Sequence, residues 1–227
     1  STVHGSGYLE YCIDNISSFL AGRGSVLFVP FARPSGISHD EYTNRARERF
    51  SAIGLPLHGI HEAAHPVEAI NSAEALFIGG GNTFLLLRAL YESDLMDAIR
   101  KKVRSGMPYI GTSAGSNVAG VTIGTTNDMP IVFPPSFDAL GLVPFNINPH
   151  YLDPDPSSTH KGETRETRIK EFHVLNDLPV VGLREGAMIH VSDSKATLQG
   201  PSGARVFLEK EEPSEFTAGD ELEFLLS

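Results

Sequence analysis

The sequence predicts an α/β protein, a three-layer α/β/α sandwich on a mostly parallel sheet with β-hairpins toward the C-terminus. Over the first three quarters of the 227 residues, short β-rich runs alternate with amphipathic helical stretches. That alternation implies parallel strands with helices on both faces. Several of the strand-like runs pass through glycine or small polar residues straight into a helical pattern, as in a βα unit. From Gly186 onward the pattern changes to short strands separated by turn residues.

Taken in order, "YLEYCIDNISSFLAG" reads as a helix, with Leu9, Ile13, Ile16 and Leu20 at helical spacing and Gly22 just past its end. "SVLFVPF" (25–31) is a buried strand. Ser38 followed three residues later by Glu41 forms a capping-box pattern that opens the helix "SHDEYTNRARERFSAIG". "LPLHGI" and "ALFIGG" are the next strands, and "NTFLLLRALYESDLMDAIRKKVRSG" reads as one long helix ending at Gly106. "PYIG" is a short strand running into the turn around Ser113. A later strand, "VPFNI", precedes His150. In the tail, "AMIHV", "KATLQG" and "ARVFLE" read as hairpin strands separated by Asp-Ser and Pro-Ser-Gly turns. The chain opens on a polar loop and a helix, so a first strand is expected to be missing ahead of them. Residues 1–227 are expected to form a single domain, because no linker or repeat divides them.

Composition narrows the function. Apolar residues make up 41% and charged residues 20%, and the formal net charge is −10 without a dense run of Lys and Arg. Such a chain repels a nucleic-acid backbone, and an anionic ligand would need local basic residues to hold it. Cys12 is the only cysteine, so neither an intrachain disulfide nor a cysteine zinc cluster can form. The apolar runs fall far short of the roughly 20 residues of a membrane helix, and the first residues do not resemble a signal peptide. The expectation is a cytoplasmic enzyme or binding protein, with neither nucleic-acid nor membrane partners, as a monomer or homodimer.

The chemistry-bearing residues fall in four places. "GTSAG" (111–115) has the G-x-S-x-G frame of a nucleophile turn, which exposes the Ser113 hydroxyl above the carboxyl end of a parallel sheet. Alone it reads equally well as a plain strand-to-helix loop. Gly79, Gly80 and Gly81 join a strand to a helix that starts at Asn82. They lack the lysine of a P-loop, and a backbone N–H there could instead serve as an oxyanion donor beside the N–H of Ala114. His150, in a Pro- and Asp-rich loop after a strand, is the candidate base, although a lone loop histidine is more often simply solvated. Asp153, Asp155 and Glu185 are its possible acidic partners. Arg165, near the N-terminal end of the helix in "HKGETRETRIKEF", gains nothing from the helix dipole and could grip a carboxylate, although a solvated pairing with Glu163 or Glu166 is equally open. "HEAAH" (61–65) matches a zinc-peptidase pattern, but Pro66 disfavours helical geometry at His65 and the segment reads as a loop. Neither a metal nor another cofactor is expected.

In this order "FVPFARP", "GGGNTF", "GTSAGSN", "TTNDMPI", "FDALGL", "INPHY", "HKGETRETRI" and "GLREG" run from about Val26 to Gly186. Together they resemble the peptidase E, or α-aspartyl dipeptidase, family. The resemblance implies a fold like that of the class I glutamine amidotransferases, with serine in place of their cysteine, and hydrolysis of dipeptides that begin with aspartate. It implies Ser113 as nucleophile, His150 as base and Glu185 as orienting acid, with the N–H groups of Gly81 and Ala114 holding the oxyanion. Arg165 would bind the substrate aspartate side chain. Asp128 and Gly80 would belong to the substrate-binding segments, and a small dipeptide would be the ligand. Thr112 stands where the family often carries an aromatic residue. The alternatives are a cyanophycinase-like serine hydrolase and a non-catalytic amidotransferase-like binding module.

Overall fold

Four short apolar runs build the first sheet: Val26–Val29 (β1), Leu57–Gly59 (β2), Leu76–Ile78 (β3) and Tyr109–Gly111 (β4). They pair in the order β2-β1-β3-β4, all parallel. The computed structural model describes residues 5, 7–154 and 162–227. Alternation along the strands sorts side chains to the two faces. Val26, Phe28 and Phe77 point to one face, covered by Ile13–Phe19 (α1) and His39–Ser51 (α2). Val29, Leu76 and Ile78 point to the other, covered by Pro66–Ser72 (α3), Thr83–Glu92 (α4) and Leu95–Arg104 (α5). These are the three expected layers. Phe28, Phe50 and Phe77 are fully buried, with ring centroids 4.9–5.5 Å apart, and burying each such side chain is worth about 1.5–3 kcal/mol.

Helix α2 starts as its sequence predicts. The Ser38 hydroxyl accepts the Glu41 N–H at 3.1 Å, and the Glu41 carboxylate accepts the Ser38 N–H at 2.7 Å. The expected long helix from Asn82 to Gly106 is instead two. Asp94 takes a left-handed conformation (φ 55°) between α4 and α5. Ser93 and Asp94 are poor helix formers, and Asp tolerates that conformation. A straight helix of this length would run about 35 Å, against roughly 10 Å for a three-residue strand. The break keeps Leu95, Met96 and Ile99 in the core.

The second half is built on Asn146–Pro149 (β5), Val180–Leu183 (β6), Ala204–Phe207 (β9) and Ser214–Phe216 (β10). Between β6 and β9 lie Met188–Ser192 (β7) and Lys195–Gln199 (β8). Strands β5 and β6 pair in parallel, while β9 joins β6 and β10 in antiparallel ladders. Only β7 and β8 form the expected isolated hairpin. The next segment, "ARVF", departs from that expectation: β9 leaves the hairpin and lies against β6. Ala204, Val206 and Phe207 are buried, and the sheet covers them where a free hairpin would not. One face of this sheet packs on the β7–β8 hairpin through Ala196 and Leu198. The other receives Ile169 and Phe172 from Arg165–Phe172 (α7). No helix among the described residues is long and apolar enough to cross a membrane.

Candidate active site

Gly80, Gly81, Ser113, Ala114, His150 and Glu185 lie just beyond the C-terminal ends of β3, β4, β5 and β6. Beyond β4 the chain turns at Ser113 (φ 53°, ψ −111°) and enters the short helix Ala114–Asn117 (α6). That conformation costs on the order of 1–3 kcal/mol for a residue with a Cβ and needs over-determined surroundings. They are supplied from both sides of the serine: Tyr109 Oη donates to Gly115 O at 2.6 Å, and Ser116 Oγ donates to Gly111 O at 2.9 Å. The result is a hydroxyl presented at the sheet edge.

Beyond β5, His150 is also left-handed (φ 57°). Its Nε2 lies 2.9 Å from Ser113 Oγ, and its Nδ1 contacts Glu185 Oε1. An ionised carboxylate can only accept, so Nδ1 carries the proton and Nε2 is left to accept from the serine hydroxyl. The His150 and Glu185 side chains are 38% and 45% exposed, so water reaches the pair. The other acids proposed for this place behave differently. Asp153 is held by Arg184, whose Nε and Nη2 donate to it at 2.8 and 2.6 Å. The Arg184 guanidinium holds the Asp153 carboxyl below its ordinary pKa. Asp155 lies outside the described residues. Arg184 also donates to Glu215 at 2.8 and 3.1 Å, so it ties the His150 loop to β10 while its neighbour Glu185 turns to His150.

The glycine turn sits beside the serine. A Cβ on Gly80 would lie 2.8 Å from the Ser113 Cβ, and one on Gly81 (φ 147°) would lie 2.1 Å from Ala32 O. Only glycine fits at either position. The Gly80 N–H is taken by the hydroxyl of buried Tyr42 at 2.8 Å. Among the described residues, the N–H groups of Gly81 and Ala114 have no hydrogen-bond partner. Two donors beside a hydroxyl–imidazole–carboxylate chain have the parts needed to transfer a proton and hold a developing oxyanion.

Arg165 opens α7 and is half-buried, with Nη1 donating to Pro149 O at 3.3 Å, next to His150. Burial, and then Arg168 beside it, lower its pKa from the usual guanidinium value. It is Arg168, not Arg165, that approaches Glu163, at 3.7 Å. Asp128 sits at the start of α4, where its Oδ2 accepts from Thr83 N at 2.7 Å and Thr83 Oγ1 at 2.6 Å. Neither Tyr42 nor Arg184 stands out as a site residue in the sequence. The available signal for Tyr42 is that a tyrosine on the buried face of an amphipathic helix needs a partner for its hydroxyl.

"HEAAH" does not place two histidines on one helical face. His65 is the N-cap of α3, while His61 lies in a preceding 3-10 turn with Nε2 2.8 Å from Asp40. Glu62 approaches this pair, but its carboxylate is already taken by Arg47 at 2.8 and 3.1 Å and by the Gly59 N–H at 2.8 Å. A shallow cavity of about 370 Å³, lined by Arg47, Leu55, Leu57 and His58 among others, lies at the N-terminal end of β2. It is at the opposite end of the sheet from Ser113 and holds none of the chemistry described above.

Comparison with known proteins agrees with this architecture. The family model described as "Peptidase family S51" matches residues 1–199. A protein named peptidase E from Streptomyces coelicolor is 51% identical over 226 residues, covering 100% of this chain and 92% of its own. A probable alpha-aspartyl dipeptidase from Drosophila melanogaster is 48% identical over 229 residues, with 100% and 94% covered. The crystal structure of a peptidase from an acI-B1 actinobacterium shares the fold, with a TM-score of 0.70 at 20% identity over 96% of this chain and 93% of that one. The chain belongs to peptidase family S51.

Proposed function

We propose that this chain is a serine dipeptidase that cleaves dipeptides with an N-terminal aspartate through an acyl-enzyme, residues 1–227 acting as one catalytic unit. The observation that carries the reading is the hydroxyl–imidazole–carboxylate chain, with Ser113 Oγ 2.9 Å from His150 Nε2 and Glu185 on the far nitrogen. His150 takes the Ser113 proton as the oxygen attacks the scissile carbonyl. The oxyanion settles against the N–H groups of Gly81 and Ala114, where one such donor is worth roughly 2.7–4 kcal/mol in the transition state. His150 then protonates the leaving amine, and water hydrolyses the acyl-enzyme with the same base. Glu185 keeps the imidazole in the tautomer this needs.

Specificity follows from charge. Arg165, half-buried beside His150, binds the aspartate side chain, and the remaining oxygen of Asp128 faces the substrate α-amino group. Gly80 keeps the turn thin enough for the substrate to approach Ser113. The name of the relative from Drosophila, probable alpha-aspartyl dipeptidase, supports this substrate class. The test is a dipeptide panel with varied first residue, run with and without a chelator, on the parent and on Ser113→Ala. Turnover of Asp-Leu should exceed that of Ala-Leu, survive the chelator and fall by several orders of magnitude in the variant. Near-parental activity in Ser113→Ala would exclude the nucleophile.

A further inference from the structure

An Asp-X dipeptide carries two carboxylates, one on the aspartate side chain and one at the C-terminus of the leaving residue. Arg165 can answer only the first. We infer that Arg33 binds the second, so that the site measures the length of its substrate and favours dipeptides; the inference rests on the Asp-X reading above.

The placement comes from the sheet. Arg33 lies in the loop that follows β1, at the same C-terminal edge as Ser113 and the glycine turn. Its neighbour Ala32 touches that turn: Ala32 O accepts the Asn82 N–H at 2.7 Å and abuts Gly81. Strand order puts β1 beyond β3, two strands from β4, which is about 10 Å along the edge. Arg165 reaches the site from the other direction, over Pro149 at the end of β5. An extended dipeptide spans about 7 Å. Arg33 and Arg165 therefore lie on segments that follow different strands, β1 and β5, as the two separated carboxylates of an extended Asp-X would require.

The chemistry fits an anion. Arg33 is exposed, and its guanidinium carbon sits 4.8 Å from the centroid of the Tyr42 ring. The Tyr42 hydroxyl is in turn bonded to Gly80 N, so the stacking platform is fixed to the glycine turn. Stacking occupies the face of a guanidinium and leaves its N–H edge free to hold a carboxylate with two parallel bonds. Among the described residues, no carboxylate forms an ion pair with Arg33, whereas Arg47, Arg88, Arg100, Arg184 and Arg205 all have one. In a protein of net charge −10, a substrate with a carboxylate at each end gains from a local cation at both.

The test compares Asp-Leu with its C-terminal amide, which has the same scissile bond without the second carboxylate. The parent should favour the free acid by about tenfold in kcat/KM, an exposed charge-assisted contact being worth less than a buried one. Arg33→Gln should collapse that preference toward one, and Arg33→Lys should restore part of it. An Arg33→Gln protein that keeps the parental preference would overturn the inference, as would a parent that cleaves acid and amide equally. A parent inactive on both would overturn the Asp-X reading itself.

Discussion

Tyr42→Phe isolates one hydrogen bond next to the proposed oxyanion site. Tyr42 is 2% exposed, and its hydroxyl is the acceptor for Gly80 N–H at 2.8 Å. Phenylalanine fills the same ring space, so the change removes an acceptor and leaves a buried N–H unmatched. Such a group costs about 1–3 kcal/mol. For a chain of this size, 1 kcal/mol corresponds to about 2–4 °C in Tm, so thermal unfolding should move down by roughly 2–12 °C. The freed Gly80 N–H also lets the turn relax, one residue before the Gly81 donor. Outright loss of an oxyanion donor costs about 10²–10³ in kcat, and a displaced donor should cost about tenfold. Circular-dichroism melts and steady-state kinetics on Asp-Leu read the two effects separately. A parental Tm would refute the buried-acceptor argument. A lowered Tm with parental kcat would refute the link from Tyr42 to the oxyanion site.

Other expectations follow from the same contacts. Glu185→Gln should lower kcat on Asp-Leu by about 10⁴, the order seen when the third member of other triads is changed, while Asp153→Asn stays within about tenfold; the reverse ranking would mean that Asp153 orients His150. Because Arg184 depresses the folded-state pKa of Asp153, that carboxylate stabilises the fold above its unfolded value near 3.9 and loses the effect as pH falls through its lower folded value. Melts of the parent and Asp153→Asn should therefore differ by a constant amount above about pH 5 and converge in stronger acid, and a gap that widens on acidification would contradict the ion pair. Burial pushes the Cys12 thiol up to about 11, so a thiol reagent at pH 8 should leave the native protein unlabelled and modify it in denaturant. Rapid labelling of the native chain would show that the helix around Cys12 opens.

The sharp turn at Ser113 is legible in the sequence because its cause is local. Glycines on both sides of Ser113, a short apolar run before it and a helix after it all lie within a dozen residues. The capping box at Ser38 and Glu41 is legible for the same reason. The acid behind His150 is not, since Asp153, Asp155 and Glu185 are equally plausible along the chain. Among the described two, the choice turns on Arg184: it takes Asp153 and Glu215, and the adjacent Glu185 is free for His150. The break at Asp94 escapes a periodicity argument because the apolar pattern continues through it. Strand β9 misleads in another way, since "ARVF" has the same pattern in a hairpin as against β6. Its partner is decided by the buried face it must cover, which is a tertiary fact.

The two halves of the proposed triad stand on different sheets. Ser113 and the glycine turn belong to the all-parallel sheet, while His150, Glu185 and α7 belong to the mixed one, and among the described residues no strand pairing joins them. The bond between Ser113 and His150 therefore works as a gauge of how the two sheets are seated. Heat or mild denaturant that loosens the seating should switch off hydrolysis while both ladders are still intact, with inactivation running ahead of the loss of secondary structure. A ligand that spans both sheets would close the same seam and raise the temperature at which activity is lost.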